Sequence, residues 1–166
     1  YGTAPNVLSE LQWKNIWSLN GFAGASLPLY RNLVVSGWVN GGKIFSGEVW
    51  DRDYWGNNRT EMFSESYSGA EQGYLFDASV AFSQSIQIGS GILSEILGYT
   101  YHRLHLSMIE GWQSKPIEGI YHNPMPTLDS RYTAQFYGPF FGIDYQMPLS
   151  CYLLGLGYTF TLPRYR

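Results

Sequence analysis

The chain has 166 residues, enough for one domain with a sizeable core. Its formal net charge of −3 does not indicate a basic surface that would bind nucleic acid. Charged residues make up only 14% and aromatic residues 17%, which is charge-poor and aromatic-rich beside an ordinary soluble domain. The single cysteine, Cys151, excludes an intrachain disulfide and a cysteine-based metal site, and we expect neither a metal nor a cofactor. Because no run of 18 apolar residues occurs, we predict no transmembrane helix. The chain opens at Tyr1 without an initiator Met, and we expect it to be processed or trimmed.

Alternation of side chains with a period of two residues dominates the sequence, and helical periodicity is almost absent. Between Tyr74 and Ile86, the even positions are mostly apolar or aromatic and the odd positions are mostly small and polar. The same pattern predicts six strands, at about 8–27, 31–55, 62–88, 91–112, 131–147 and 150–163. These strands are long, since strands of globular proteins usually have 3–10 residues.

The predicted connections alternate between short and long. Short connections follow the first, third and fifth strands, whereas the segments 56–61 and 113–131 are longer and rich in Pro, Gly, Asn and Ser. This arrangement is typical of a transmembrane β-barrel of the bacterial outer membrane. A soluble lipocalin-like barrel or a β-sandwich would place the apolar face inside. We favour an antiparallel transmembrane β-barrel over residues 1–166, with the apolar face towards lipid, because the opposite face carries few charges.

Two acidic residues, Asp51 and Asp53, follow the long apolar, glycine-rich segment 32–47. In an extended strand both carboxylates lie on one face, roughly 6.5–7 Å apart, and Arg52 lies on the other. At that spacing two carboxylates can share a water or a cation, and the pKa of one can be raised. The alternative is a solvated strand end with two unrelated acids.

Four stretches, in order, resemble the omptins, which are outer-membrane β-barrel endoproteases of Gram-negative bacteria. They are residues 9–14 (SELQWK), residues 36–38 (SGW) followed by 51–54 (DRDY), residues 97–99 (LGY) with Arg103, and residues 138–143 (GPFFGI). The resemblance covers most of the chain. It implies residence in the outer membrane with the loops facing the exterior.

The resemblance also implies roles for individual residues. In omptins an Asp pair faces an Asp–His pair across a groove, and a water between them attacks the peptide carbonyl. Asp51 and Asp53 match the first pair as candidate catalytic residues. Tyr99 and Arg103 match a lipopolysaccharide site on the outer wall, where Arg would pair with a lipid phosphate. For Arg103 the alternative is a cation that extends to the membrane interface.

The chain departs from the omptin pattern because it has no D-x-H motif. Its three histidines, His102, His105 and His122, do not match the family's histidine, and we interpret them as surface polar residues. Six strands are also too few, because single-chain outer-membrane barrels start at eight. Three explanations stay open: the chain is the front part of a longer barrel, another chain or copy completes it, or neighbouring strands are merged in the prediction.

Two functions follow as hypotheses. One is an omptin-like protease that cleaves a peptide in a completed barrel. The other is a non-catalytic barrel with a structural, lipopolysaccharide-binding or complex-forming role. A pore is not favoured, because small barrels fill their interiors with side chains and the polar face has few charges.

Overall fold

The structure is a computed structural model, and it describes residues 4–115 and 124–166. It contains eight β-strands and one short 3-10 helix, Asn57–Arg59. The strands are β1 (Ser9–Tyr30), β2 (Leu33–Gly56), β3 (Thr60–Gly69), β4 (Tyr74–Ile88), β5 (Gly91–Lys115), β6 (Pro124–Leu149), β7 (Tyr152–Thr161) and β8 (Arg164–Tyr165). The all-β prediction is confirmed, and β1, β2, β5 and β6 have 22 to 26 residues each, as the long alternating segments predict. No helix in the described residues is both long and apolar enough to cross a membrane.

The strands form one sheet in the order β1-β2-β3-β5-β6-β7. β4 also pairs with β2 and β5, and β8 pairs with β6. The β2–β3, β3–β5 and β6–β7 pairs are antiparallel. A register shift between Asp53 and Tyr54 marks a bulge directly after the predicted acid pair.

The predicted third strand, 62–88, is wrong in its continuity, because the structure divides it into β3 and β4. The interruption, residues 70–73, still hydrogen-bonds to β2: Ala70 N–H donates to Gly47 O at 3.0 Å, and Ile44 N–H donates to Gly73 O at 2.8 Å. Ala70 is fully buried, but Glu71, Gln72 and Gly73 after it are polar or turn-forming residues, and the prediction of one continuous strand gave them too little weight.

Other boundaries shift as well. β6 begins at Pro124, seven residues before the predicted 131, so part of the predicted loop 113–131 is strand. The predicted last strand, 150–163, is β7, and β8 follows it as a separate two-residue strand. Prolines and polar side chains at the start of β6 are typical of loops, and the sequence pattern therefore underestimates its length.

The chain divides into two compact units. Unit 1 comprises Tyr1–Leu19, Gly42–Tyr74 and His105–Thr133, and unit 2 comprises Asn20–Gly41, Leu75–Leu104 and Ala134–Arg166. Unit 1 contains the 3-10 helix and the connection between β5 and β6.

Unit 2 contains the three tight turns. Each is two residues long, at 31–32, 89–90 and 150–151. Arg31, Gly89 and Ser150 have φ values of 50°, 61° and 55° there, and a positive φ at this position is what two-residue hairpin turns require. A short turn after each of the three predicted strands is confirmed, but two turns lie later than the predicted connections 28–31 and 148–149, because residues 28–30 belong to β1 and residues 148–149 to β6.

The two faces of β4 in unit 2 differ sharply. Phe76, Val80, Phe82 and Ile86 are each 41–50% exposed, and we call their side the exposed face. Asp77, Ser79, Ala81, Ser83 and Ser85 point to the other side, which we call the covered face; Ala81 is 3% exposed. The exposed face continues on β6 and β7 with large apolar side chains: Phe141, Ile143, Leu154, Leu156 and Tyr158. The apolar side chains thus point outward, as predicted for a sheet in lipid.

Unit 1 has a different exposed surface. Its buried side chains include Ile44, Val49 and Ala70. Its exterior carries ion pairs rather than an unbroken apolar row: Arg59 pairs with Glu10 at 2.8 Å, and Arg52 pairs with Glu65 at 2.8 Å. Large apolar side chains of unit 1, such as Trp17 and Phe45, are exposed as well, at 66% and 55%.

Candidate functional site

The predicted acid pair lies on β2 in unit 1, next to β3. Asp51 is opposite Ser66 and Asp53 is opposite Ser64 in the antiparallel register. Because directly opposed residues of an antiparallel pair share a face, the two carboxylates and the two serines lie on one side of the sheet. Ser64 is 7% exposed and accepts a hydrogen bond from Gln113 Nε2 at 3.0 Å. The prediction that Asp51 and Asp53 share a face therefore agrees with the strand geometry.

Asp51 has the more perturbed environment of the two acids. Partial burial raises the pKa of the Asp51 carboxyl, and the neighbouring Asp53 charge raises it further. Ser9 Oγ donates a hydrogen bond to Asp51 Oδ1 at 3.3 Å, which opposes the rise. Asp51 therefore keeps its proton to a higher pH than a free aspartate, which suits a carboxyl that shares a proton or a water with a neighbour.

Arg52 lies on the opposite side of the strand, as alternation predicts. Its Nε donates to Glu65 Oε2 at 2.8 Å and its Nη1 donates to Gln12 Oε1 at 3.3 Å. Its guanidinium also lies over the Trp50 ring, 5.2 Å from the ring centroid. The hydrogen-bonded guanidinium holds the pKa of the Glu65 carboxyl below its usual value. Arg52 is thus committed to structural contacts and does not face the acid pair.

The histidine that omptin chemistry needs is not assembled with the acid pair in the described part of unit 1. His105 is the histidine of that part, and its Nδ1 bonds Thr133 Oγ1 at 2.8 Å while its ring stacks on Tyr74 at 4.8 Å. His122 lies outside the described residues. Among residues 4–115 and 124–166, no group of three or more His, Cys, Asp and Glu side chains could hold a metal ion.

A second polar cluster, which the sequence analysis missed, lies on the covered face of unit 2. Asp77 Oδ1 and His102 Nδ1 are 2.8 Å apart, and Asn40 Nδ2 donates to Asp77 Oδ2 at 2.8 Å. His102 Nε2 is 3.0 Å from Thr100 Oγ1, which is 2.6 Å from Ser79 Oγ. We call these five residues the Asp77–His102 cluster. Its Asp–His pair joins two neighbouring strands, so a search for a D-x-H motif along one strand could not find it.

The hairpin turn at 89–90 was the signal that could have revealed this cluster. Counting outward from a two-residue turn pairs residues at equal distances along the two strands. The count places Ser79 opposite Thr100 and Asp77 opposite His102, and each of these pairs is in side-chain contact. The interpretation of His102 as a surface polar residue did not include its contact with Asp77 across the hairpin.

Tyr99 and Arg103, the predicted lipid-binding residues, lie on β5 in unit 2. Tyr99 is 48% exposed and borders an apolar groove of about 640 Å³, whose floor is built from small side chains such as Ala23, Ala78 and Val80. Arg103 is half-buried. Alternation along the strand places both side chains on the same face. The lipid-binding role of Tyr99 and Arg103 stays a prediction.

The comparisons with known proteins agree with the exposure pattern. A family model described as "Pom: Protochlamydia outer membrane protein" matches residues 1–166. No curated protein matches the chain.

Proposed function

Because the chain belongs to the Protochlamydia outer membrane protein family, and so is an outer-membrane β-protein, we propose that it is a non-catalytic β-barrel whose covered face surrounds a water-accessible interior. The observation that carries this proposal is the contrast between the two faces of unit 2. Large apolar side chains such as Phe82 and Phe141 are 50% and 51% exposed, while the opposite side carries serines and an Asp–His pair. Outer-membrane barrels have this apolar exterior and polar interior.

The size of the covered side chains supports access for water. The covered face of β4 consists of Asp77, Ser79, Ala81, Ser83 and Ser85, none of which is bulky. The sequence analysis did not favour a pore because small barrels fill their interiors with side chains. Small hydroxylated side chains fill less space than the branched residues of a packed interior. Trp38 and Phe140 also line this side beside Ser79, so in a completed barrel the room for water and small hydrophilic solutes would lie along the hydroxylated face of β4.

The distribution of charge supports an orientation for the chain. The exposed face of unit 2 suits the hydrocarbon layer, whereas the ion-paired residues of unit 1, such as Arg59 with Glu10, suit water. In outer-membrane barrels the turns on the periplasmic side are short and the extracellular loops are longer. We therefore place the two-residue turns at 31–32, 89–90 and 150–151 on the periplasmic side and the longer loops at the exterior.

Solute flux through the reconstituted protein tests this proposal. We expect folded protein in liposomes to admit small neutral solutes, and Ser83→Trp to reduce the flux because the indole would occupy the interior. Phe82→Trp is the matched control, since the same indole would then face lipid and leave the flux unchanged. Absence of flux in correctly folded protein, or equal reduction by both variants, contradicts a continuous water-filled path through the interior.

Peptide cleavage at the acid pair is the second candidate function. The raised pKa of Asp51 and the shared face with Asp53 favour it, because such a pair can orient and deprotonate a water. The required histidine would have to come from outside the described residues or from another chain. On this candidate, Asp53→Asn abolishes cleavage while the heat-modifiable mobility of the folded barrel on a gel is retained. Cleavage that is unchanged in Asp53→Asn removes the protease candidate.

Membrane lipid, including lipopolysaccharide, is the partner that the exposed surface favours. Tyr99 on the exposed side of β5 presents an aromatic ring beside an apolar groove, and Arg103 supplies a cation that could pair with a lipid phosphate. This partner is compatible with either function. Another chain that completes the barrel is a further partner, because β1 and β7 stand at the two ends of the strand order in the described sheet.

A further inference from the structure

A small cavity lies beside the Asp77–His102 cluster in unit 2. Its volume is about 250 Å³, below the range of roughly 300–1,000 Å³ that is typical of sites for drug-sized ligands. Trp38 and Phe140 supply its aromatic surface, with ring centroids 6.1 Å apart and planes inclined at 56°. Phe140 is 6% exposed and Trp38 is half-buried, so an aromatic face remains available to a ligand in the cavity.

The remaining wall of the cavity is rich in hydroxyl groups. Thr159 and Thr161 on β7 lie opposite Gly142 and Phe140 on β6, and strand pairing places all four on the same side of the sheet. Thr100 on β5 is a third hydroxyl-bearing residue of the wall. No Lys, Arg, Asp or Glu is among the described residues that line the cavity. Ile96 and His102 complete the lining, and His102 Nδ1 lies 2.8 Å from Asp77 Oδ1. The wall therefore offers hydrogen bonds mainly through uncharged hydroxyl groups.

The polar side of the cavity is held in a fixed arrangement by the Asp77–His102 cluster. One set of proton positions satisfies every bond: His102 Nδ1–H donates to Asp77, Thr100 O–H donates to His102 Nε2, and Ser79 O–H donates to Thr100 Oγ1. Asn40 holds the second carboxylate oxygen of Asp77. In this arrangement the oxygen of Ser79 still has a free lone pair to accept a hydrogen bond at the cavity wall.

We propose that this cavity binds one ring of a neutral sugar or a cyclic polyol. Such a ring has an apolar C–H face that packs on an aromatic side chain and a rim of hydroxyls that bond threonine and serine hydroxyls. Trp38 supplies the aromatic face, and Ser79, Thr159 and Thr161 supply the rim contacts. The volume suits a single ring. The inference rests on the proposed function, because a hydrophilic ligand reaches the covered face only through a water-accessible interior.

Calorimetric titration of the detergent-folded protein with methyl glucoside and with myo-inositol tests the inference. We expect binding in the millimolar range and an affinity loss of about tenfold or more in Trp38→Leu, since an aromatic residue at the centre of a site dominates its affinity. Trp55→Leu is the matched control, because Trp55 stacks on Phe63 in unit 1, away from the lining residues of the cavity, and we expect no change in affinity. Gluconate, a charged open-chain analogue, is expected not to bind.

A second variant guards against misfolding of Trp38→Leu. Thr159→Val removes one hydroxyl from the wall with almost no change in shape, and we expect it to weaken sugar binding several-fold with unaltered heat-modifiable mobility. Failure of both neutral ligands to bind, or equal affinity in wild type, Trp38→Leu and Thr159→Val, overturns the inference. Solute flux without sugar binding overturns the sugar site alone, whereas sugar binding without solute flux overturns the permeation proposal and supports the site.

Discussion

Replacing Phe82 by arginine should destabilise the membrane-inserted protein strongly. Phe82 lies on the exposed face of β4 in unit 2, where half of its side chain is exposed and its neighbours in the row are Val80 and Gln84. If that face contacts lipid, the guanidinium must enter hydrocarbon or extend to the interface. If it contacts water, the same substitution places a charge where it is well solvated.

The two alternatives differ enough in magnitude to be separated. An arginine on the lipid face of an outer-membrane barrel costs about 2–4 kcal/mol near the centre of the bilayer. That cost corresponds to a change of about 30- to 700-fold in the folding equilibrium constant. A surface substitution in water usually stays within about 0.5 kcal/mol. The sign and the size of the effect therefore report directly which medium the Phe82 side chain contacts.

Reversible urea unfolding in liposomes measures the free energy of unfolding of each variant. Phe82→Leu controls for loss of the ring and is expected to cost less than about 1.5 kcal/mol, because the position stays apolar. Trp55→Arg controls for location: Trp55 is 62% exposed but belongs to unit 1, and its substitution loses mainly the ring contact with Phe63, about 0.5–1.5 kcal/mol. An arginine at position 82 that costs no more than the one at position 55 would refute the lipid-facing assignment of unit 2.

Two further predictions concern one ion pair and one close contact. The Arg52 guanidinium lowers the pKa of Glu65 in the folded state, so the stability that the pair contributes is complete above the ordinary glutamate pKa of about 4.3 and is lost as pH falls through the lower folded value. Unfolding measured between pH 7 and pH 3 should therefore show a smaller acid-induced loss of stability in Glu65→Gln than in wild type, and equal losses would contradict the pairing. Gly98→Ala should destabilise by about 1–3 kcal/mol, because an added Cβ would lie 2.4 Å from Phe140 Cζ, whereas Gly21→Ala meets nothing within 4 Å and should be close to neutral in the same unfolding assay.

Much of the fold could be predicted because alternation is a local property of the chain. The orientation of the faces of β4 and β6 follows from which residues are large and apolar, and the structure exposes Phe82 and Phe141 as expected. The interruption at residues 70–73 is signalled by Glu71, Gln72 and Gly73, which break the alternation, and the sequence analysis overlooked it. What alternation could not show is that the interrupted segment stays hydrogen-bonded to β2 through Ala70 and Gly73. These hydrogen bonds depend on the neighbouring strand, which alternation within one strand does not describe.

Prediction of the candidate sites was limited in the same way, because alternation describes only residues of one strand. Asp51 and Asp53 are two positions apart on one strand, so the sequence was sufficient to predict that they share a face. The Asp77–His102 pair is a relation between strands and required the register of a hairpin. The role of Asp51 and Asp53 stays a prediction, since a catalytic assignment depends on a third group that the described residues of unit 1 do not bring to them.

The two-residue turn at 89–90 has a genetic consequence. Because side chains alternate with a period of two, a single inserted or deleted codon in this turn would invert β5 and send Thr100 and His102 into hydrocarbon while Tyr99 turned towards water. An insertion of two codons would restore parity and be tolerated far better. Length variation at this turn among natural variants should therefore occur in even steps.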